Sequence, residues 1–128
     1  MNYLIDTNAW IGFFEGRRDF GKDAKARMIA DPESGFISSA SVWEAAIKLA
    51  LGMLRLPYDL EGDLPRMIEE NGFRILDLGI SDAAAVQGLE PVHRDPFDRV
   101  QVVQARKRQW HVVSRDSIFE SYGLRRIW

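Results

Sequence analysis

The 128-residue sequence predicts an α/β protein with a mostly parallel central sheet that helices cover on both faces. Two patterns indicate this class: short apolar runs typical of buried strands alternate with helical segments, and such alternation requires parallel crossovers. At this length one domain, residues 1–128, with a single core is expected. Ligands in such sheets bind beyond the carboxyl ends of the strands, so functional residues are expected there.

The first part of the chain predicts two strands and three helices. "YLI", residues 3–5, is a strand, and "AWIGFF" continues with helical spacing until Gly16. A charged helix over 22–30 and the breaker "DPESG" precede a second strand, "FIS", at 36–38. "SASVWEAAIKLALGMLRLP" is the strongest helix, and Gly52 suits its C-terminal cap. Its apolar face is predicted to hold Val42, Ala46, Leu49 and Ala50.

The second part of the chain predicts the remaining elements. A helix over 60–70 stops before Asn71-Gly72 and the strand "FRILDL", and Ser81 caps a short Ala-rich helix. A long helix over 96–109 has Pro in its first turn, where a missing N–H costs nothing. The buried-type strand "HVVS", a helical turn "SIFESY" and an edge strand "LRRIW" complete the chain.

The composition excludes several classes of protein and site. Zero cysteines exclude disulfides, thiolate metal sites and a cysteine nucleophile, so any metal must use oxygen or imidazole ligands. A formal net charge of −2 argues against a nonspecific nucleic-acid binder. No apolar run approaches the ~20 residues of a bilayer span, and the start lacks the basic region of a secretion signal. A soluble cytoplasmic protein with no membrane partner is therefore expected.

Four acids from distant segments are expected to meet at the carboxyl edge of the sheet. Asp6 and Asp116 follow predicted strands, whereas Glu44 and Asp98 lie in the first turns of helices that begin at this edge. Clustered carboxylates repel one another unless a cation compensates them, and an all-oxygen site suits Mg²⁺ or Mn²⁺. A metal of this kind can activate water and stabilise a leaving alkoxide, so the pattern predicts phosphodiester hydrolysis.

Each acid taken alone also has a structural interpretation. Asp6 and Asp116 can cap the elements that follow them, and Ser41-x-x-Glu44 fits a capping box. Asp95 is predicted as the N-cap of the long helix, where Asp98 would favour the helix dipole. Individually these interpretations are favoured over catalysis. The joint placement of these acids on one edge of the sheet, however, favours the catalytic interpretation.

Basic and aromatic side chains near the acids leave alternatives open. His93, Arg94 and Arg99 flank Asp95 and Asp98 and are predicted to bind phosphate groups of the substrate, or equally to act as salt-bridge partners. For Trp10 and Trp43, packing in the core or at a dimer contact is favoured over base stacking.

Four segments resemble, in order and spacing, the PIN-domain ribonucleases, and within them the VapC-type toxins of type II toxin-antitoxin pairs: "YLIDTNAWI", "ISSASVWEAAIKLALGMLRLP", "HRDPFDRVQVVQA" and "VVSRD". The resemblance implies a PIN-like, three-layer α/β/α sandwich with an acidic metal site. Asn8 and Ser114 match small polar positions that support the site, and Asp95 matches an additional acid of the subgroup with "RDPFD". Gln101 stands at a position where similar proteins often have an apolar residue. By position, the family's catalytic and metal-binding acids fall on Asp6, Glu44, Asp98 and Asp116.

The resemblance also implies a function and partners. We expect an Mg²⁺- or Mn²⁺-dependent endoribonuclease that acts as the toxin of a toxin-antitoxin pair. A cognate antitoxin would place a basic side chain in the acid pocket, because an arginine fork pairs well with clustered carboxylates. A homodimer is expected as well.

Three other readings of the chain predict different features. A phosphoacceptor receiver domain normally has an acidic pair after the first strand and a lysine after the last, but here Thr7 follows Asp6 and the chain closes with "LRRIW". A haloacid dehalogenase-type hydrolase requires a second acid where Asn8 stands. A noncatalytic PIN-like scaffold that binds RNA or protein is the remaining alternative, although such proteins tend to lose the acids that this chain retains.

Overall fold

A computed structural model describes residues 1–128, with five strands and six α-helices. The strands are β1 (Tyr3–Ile5), β2 (Gly35–Ser38), β3 (Arg74–Leu76), β4 (His111–Val113) and β5 (Arg126–Ile127). The α-helices are α1 (Thr7–Glu15), α2 (Lys22–Ala30), α3 (Ser39–Ala50), α4 (Asp63–Glu70), α5 (Ile80–Ala85) and α6 (Pro96–Arg108). Short 3-10 helices cover Pro32–Ser34, Val86–Gly88 and Ser117–Tyr122. No helix is long and apolar enough to cross a membrane.

All five strands pair in parallel, in the order β3-β2-β1-β4-β5. The central strand β1 has both neighbours in register, since Tyr3 lies opposite Gly35 on one side and His111 on the other. The chain moves outward from β1 to β3 and then returns to the other side of β1 with β4. The direction of winding therefore changes between β1 and β4, which is where open α/β sheets bind ligands.

Two apolar clusters cover the two faces of the sheet, because successive side chains of a strand point to opposite faces. Ile5 of β1 belongs to the larger cluster, which receives Trp10 of α1 and Met28 of α2. Leu4 belongs to the smaller cluster, which receives Val102 of α6. This arrangement confirms the predicted three-layer α/β/α sandwich.

The predicted apolar face of α3 is wrong. Ala46 and Ala50 are exposed, and the buried residues of the helix are instead Ala40, Ser41, Glu44 and Ala45. The predicted capping box is wrong too, since Ser38 is the N-cap and its Oγ accepts from the Ala40 N–H at 3.1 Å. The prediction from apolar spacing failed here because polar side chains, Ser41 and Glu44, occupy part of the inward face.

Two further boundaries differ from the prediction. Helix α4 begins at Asp63 rather than at residue 60, because Asp59 accepts hydrogen bonds from the Glu61 and Gly62 N–H groups and holds a turn there. Ser81 does not cap α5, whose N-cap is Gly79, and its hydroxyl instead accepts from the ammonium of Lys107. In both places, side-chain contacts that a local pattern does not encode set the boundary.

The inward face of α6 carries two fully buried glutamines. The Gln101 amide donates to the Phe97 carbonyl at 3.3 Å, but its Oε1 has no protein partner, and neither polar side-chain atom of Gln104 has one. A buried polar atom without a partner costs about 1–3 kcal/mol of stability. Gln101 is therefore a source of instability.

We expect Gln101→Met to raise the free energy of unfolding by about 1 kcal/mol, because it removes the unpaired amide oxygen while nearly conserving volume. Urea denaturation of the purified protein measures this change. The matched control is Gln87→Met at an exposed position, which should alter stability by no more than about 0.5 kcal/mol. A less stable Gln101→Met variant would contradict the assignment of an unpaired amide.

Candidate functional site

Asp6 lies directly after β1 and is only 6% exposed. Its two carboxylate oxygens have different partners. Oδ1 accepts the Ala9 N–H at 2.8 Å and so caps α1, and Oδ2 accepts from the hydroxyl of Ser114 after β4. The capping interpretation is confirmed, yet it uses one oxygen only. Asp6 therefore joins β1, α1 and the segment after β4 at the point where the winding changes.

Glu44 projects from the inward face of α3 and is 5% exposed. Its Oε1 accepts the Thr7 hydroxyl at 2.6 Å, and its Oε2 pairs with the Lys48 ammonium at 2.8 Å. The lysine is one helical turn further along α3, so both groups lie on the same face. Lys48 was not predicted as a site residue. The one signal for it in the sequence is its spacing of four residues from Glu44, and such spacing more often marks an exposed ion pair.

Asp95, Asp98 and His93 form a compact group at the start of α6. Asp95 caps this helix, as predicted, through Oδ1, which accepts from the Phe97 and Asp98 N–H groups at 2.9 and 3.3 Å. Asp98 Oδ2 lies 2.9 Å from His93 Nε2. One ligand atom from each of the three residues lies within 4.8 Å of the others, which is close enough to share a metal ion.

Asp116 caps the 3-10 helix after β4, since its Oδ1 accepts the Ile118 N–H at 2.9 Å. Its own N–H donates to Ser114 Oγ at 2.9 Å. The Ser114 hydroxyl thus joins Asp116 to Asp6, which fits the supporting position that the resemblance implies. The side chain of Asp116 is exposed, unlike those of Asp6 and Glu44.

One pocket of about 230 Å³ brings these groups together. All four acids predicted as catalytic line it, and no apolar residue does. Its lining consists of Asp6, Thr7, Asn8, Glu44, Lys48, His93, Asp95, Asp98 and Asp116.

Two of the predicted substrate-binding residues lie outside this pocket. Arg94 is exposed and lines a neighbouring apolar groove with Ile47 and Phe97. The guanidinium of Arg99 donates to the backbone carbonyls of Leu89, Glu90 and His93. Arg99 therefore holds the loop before α6 in place, and through it the position of His93.

The two tryptophans near the site differ in environment. Trp10 is fully buried, and its indole N–H donates to Ser41 Oγ at 3.0 Å. Trp43 is 59% exposed and meets the Phe97 ring edge-on, with centroids 5.0 Å apart. Core packing is thus confirmed for Trp10, whereas Trp43 presents an aromatic surface beside the pocket.

Burial without a compensating cation perturbs two of the acids. It raises the pKa of Asp6 from 3.8 to about 7, with the charges of Asp98 and Glu44 adding to the effect and the contact with Ser114 opposing it. Burial and the neighbouring Asp95 raise the pKa of Asp98 to about 6. A pocket of carboxylate oxygens that resist ionisation fits a hard divalent cation such as Mg²⁺ or Mn²⁺, which would favour their charged forms.

Comparison with known families and structures agrees with this architecture. The family model for the PIN domain matches residues 3–124. No protein with a curated function matches the sequence significantly.

Several solved structures are similar. The structure of FitAB bound to an IR36 DNA fragment has a TM-score of 0.64 and 16% identity, covering 97% of this chain and 92% of that one. A toxin-antitoxin complex from Klebsiella pneumoniae has a TM-score of 0.62 and 21% identity, and the match covers 91% of this chain and 88% of that one. FitAcB from Neisseria gonorrhoeae has a TM-score of 0.58 and 18% identity, and the match covers 97% of this chain and 95% of that one. At these identities the likeness shows a shared fold.

We expect the metal-free protein to lose stability as the pH rises from about 4 to about 7. The raised pKa values of Asp6 and Asp98 mean that the folded state binds more protons than the unfolded state in this window, so the linkage relation gives a negative slope. Thermal denaturation in EDTA measures it, and adding Mn²⁺ near neutral pH should restore the melting temperature.

Asp6→Asn removes one of the two titrating groups and should make the loss shallower. A matched control is Asp77→Asn, since Asp77 is exposed directly after β3 and lies outside the pocket. A melting temperature that stays level or rises across the window in EDTA would contradict the prediction.

Proposed function

We propose that this chain, which belongs to the PIN domain family, is a metal-dependent endoribonuclease that acts as the toxin of a toxin-antitoxin pair. The observation that carries the proposal is the single polar pocket into which β1, α3, α6 and the segment after β4 each bring a carboxylate. PIN domains are generally nucleases. An antitoxin partner belongs to the same proposal, and the similar toxin-antitoxin complex from Klebsiella pneumoniae supports it.

The pocket residues have distinct proposed tasks. Asp6, Glu44, Asp98 and Asp116 would hold Mg²⁺ or Mn²⁺, which supplies an activated water and polarises the phosphodiester. Ser114 and the Ala9 N–H fix the Asp6 carboxylate, and Asp95 fixes the first turn of α6, from which Asp98 projects. The exposed Asn8 lines the pocket with its amide, a hydrogen-bond donor for a phosphate oxygen.

A second cavity, of about 410 Å³, offers a path for the RNA chain. It shares Asp6, Asn8 and Asp116 with the acid pocket, and its lining adds Arg17 and Arg115. Both arginines pair with Asp19 on the surface, at 3.1 and 3.3 Å. Arginine forks suit phosphate, so we place the strand that flanks the scissile bond along this cavity.

Asp6→Asn and Asp98→Asn should each reduce RNA cleavage more than about 100-fold, because even groups behind metal ligands are worth 10–100-fold. A single-turnover assay on labelled RNA with Mn²⁺ measures the rate, and EDTA should abolish it. Asp77→Asn, the exposed acid after β3, is the control and should cleave normally.

Thermal denaturation would show that the two variants remain folded. Full activity of both would refute the site. An unaltered chain that binds RNA without cleaving it would favour the scaffold alternative.

We further propose a homodimer that forms through the outward face of α3. This face exposes Trp43 and Ile47, and Leu51 and Met53 extend it directly after the helix. Leu51 is 67% exposed and Met53 is 70% exposed, so a continuous apolar strip faces solvent in the single chain. A second copy would cover this strip with the same strip, as a twofold interface requires.

Multi-angle light scattering should give the dimer mass for the unaltered chain. It should give the monomer mass for Leu51→Asp, which places a charge in the strip. Ile29→Asp, at an exposed apolar position of α2, is the control and should leave the dimer intact. A monomer mass for the unaltered chain at all concentrations would remove the proposal.

A further inference from the structure

The proposed reaction presents an electrostatic difficulty. A phosphodiester carries negative charge, and five acids line the pocket that must receive it: Asp6, Glu44, Asp95, Asp98 and Asp116. Only two side chains in the same lining can carry positive charge, Lys48 and His93. His93 is held by Asp98 through its Nε2, at 2.9 Å. Lys48 is therefore the permanent cation that the chain itself places in this pocket.

The position of Lys48 differs from that of its partner. Glu44 has a side chain that is 6% exposed, whereas the side chain of Lys48 is 35% exposed. The carboxylate is thus at the base of the pocket and the lysine at its mouth. Lys48 also lines the apolar groove that contains Ile47 and Arg94. It therefore lies where the acid pocket and this groove meet.

A helical Glu–Lys pair four residues apart is often a surface feature only. Arg66 shows that ordinary case, because it pairs with Asp63 and Glu70 on the exposed face of α4. Lys48 differs, since its partner is buried and already accepts the Thr7 hydroxyl. The hydrogen bond to Glu44 raises the pKa of Lys48, and the charges of Asp95 and Asp98 on α6 add to this. Carboxylates of α3 and of the start of α6 therefore both stabilise the charged form of the ammonium.

We infer that Lys48 binds a non-bridging oxygen of the scissile phosphate, as a substrate-binding residue of the site. The inference rests on the proposed nuclease function. A lysine ammonium on its four-carbon stem can exchange one oxygen partner for another without moving the helix, and it offers three donors. Glu44 holds the ammonium at the pocket mouth until the phosphate enters. The same contact then strengthens as charge accumulates on the phosphate oxygens during cleavage.

The test compares Lys48→Gln and Lys48→Arg with the control Arg66→Gln, which breaks exposed helical ion pairs outside the pocket. At saturating Mn²⁺ we expect Lys48→Gln to lower kcat/KM for RNA by about 100-fold, the usual effect of losing one donor to a developing oxyanion. Lys48→Arg should recover most of the loss, and Arg66→Gln should stay within about twofold, as an exposed ion pair has little effect.

Two readouts are independent of cleavage. Mn²⁺ affinity, measured without RNA by electron paramagnetic resonance, should stay equal or increase in Lys48→Gln, because a competing cation has left the pocket. RNA binding in an Asp98→Asn background should lose about 0.7 from the slope of log affinity against log salt, the value for one phosphate contact to a single strand.

Three results would overturn the assignment, and they are distinguishable. Unchanged kcat/KM and an unchanged salt slope in Lys48→Gln would show that the lysine does not contact the phosphate. A parallel loss of Mn²⁺ affinity and activity would show that Lys48 only positions Glu44. An unaltered chain without any cleavage would instead remove the proposed function, together with the role of Lys48 in it.

Discussion

The site depends on burying the carboxylate of Asp6 at the end of the central strand. Each oxygen of that carboxylate accepts a different hydrogen bond. One oxygen accepts the Ala9 N–H and so caps α1, and the other accepts the Ser114 hydroxyl after β4. Because β1 and β4 are the strands between which the winding changes, this one side chain links both halves of the sheet. The contact that orders the helix start therefore also fixes the first acid of the pocket.

The same burial makes the pocket costly in the absence of a cation. Asp6 and Asp98 have pKa values of about 7 and about 6, so burial and mutual repulsion work against their charged forms. The chain offsets part of this with its own polar groups, since Lys48 pairs with Glu44 and His93 with Asp98. Each offset is incomplete, and the remaining carboxylate oxygens are what would hold the divalent ion of the proposed reaction. Function and local instability thus share one cause.

Sequence patterns predicted the parallel sheet and the capping acids, because caps and strand ends are local signals. Asp6, Asp95 and Asp116 all cap the elements predicted for them. Lys48 was missed because a Glu–Lys spacing of four residues usually marks a solvated helix face. The role of Arg99 was also beyond local reasoning, since its partners are carbonyls of a loop six to ten residues earlier. For Lys48 the sequence did not show which side of α3 faces the pocket, and for Arg99 it did not show how the loop before α6 folds back onto the helix.

Helix α3 shows why that orientation could not be inferred from apolar spacing. Its inward side carries Ser41, which accepts from the Trp10 indole, and Glu44, which accepts from Thr7, so two hydrogen bonds join it to α1. Its outward side carries Trp43 and the apolar strip that continues to Leu51. The helix therefore buries two polar side chains together with Ala40 and Ala45, while its outward side carries large apolar side chains. An exposed apolar strip of this kind is typical of an interaction surface, which links the polar interior that forms the site to the dimer proposed for the exterior.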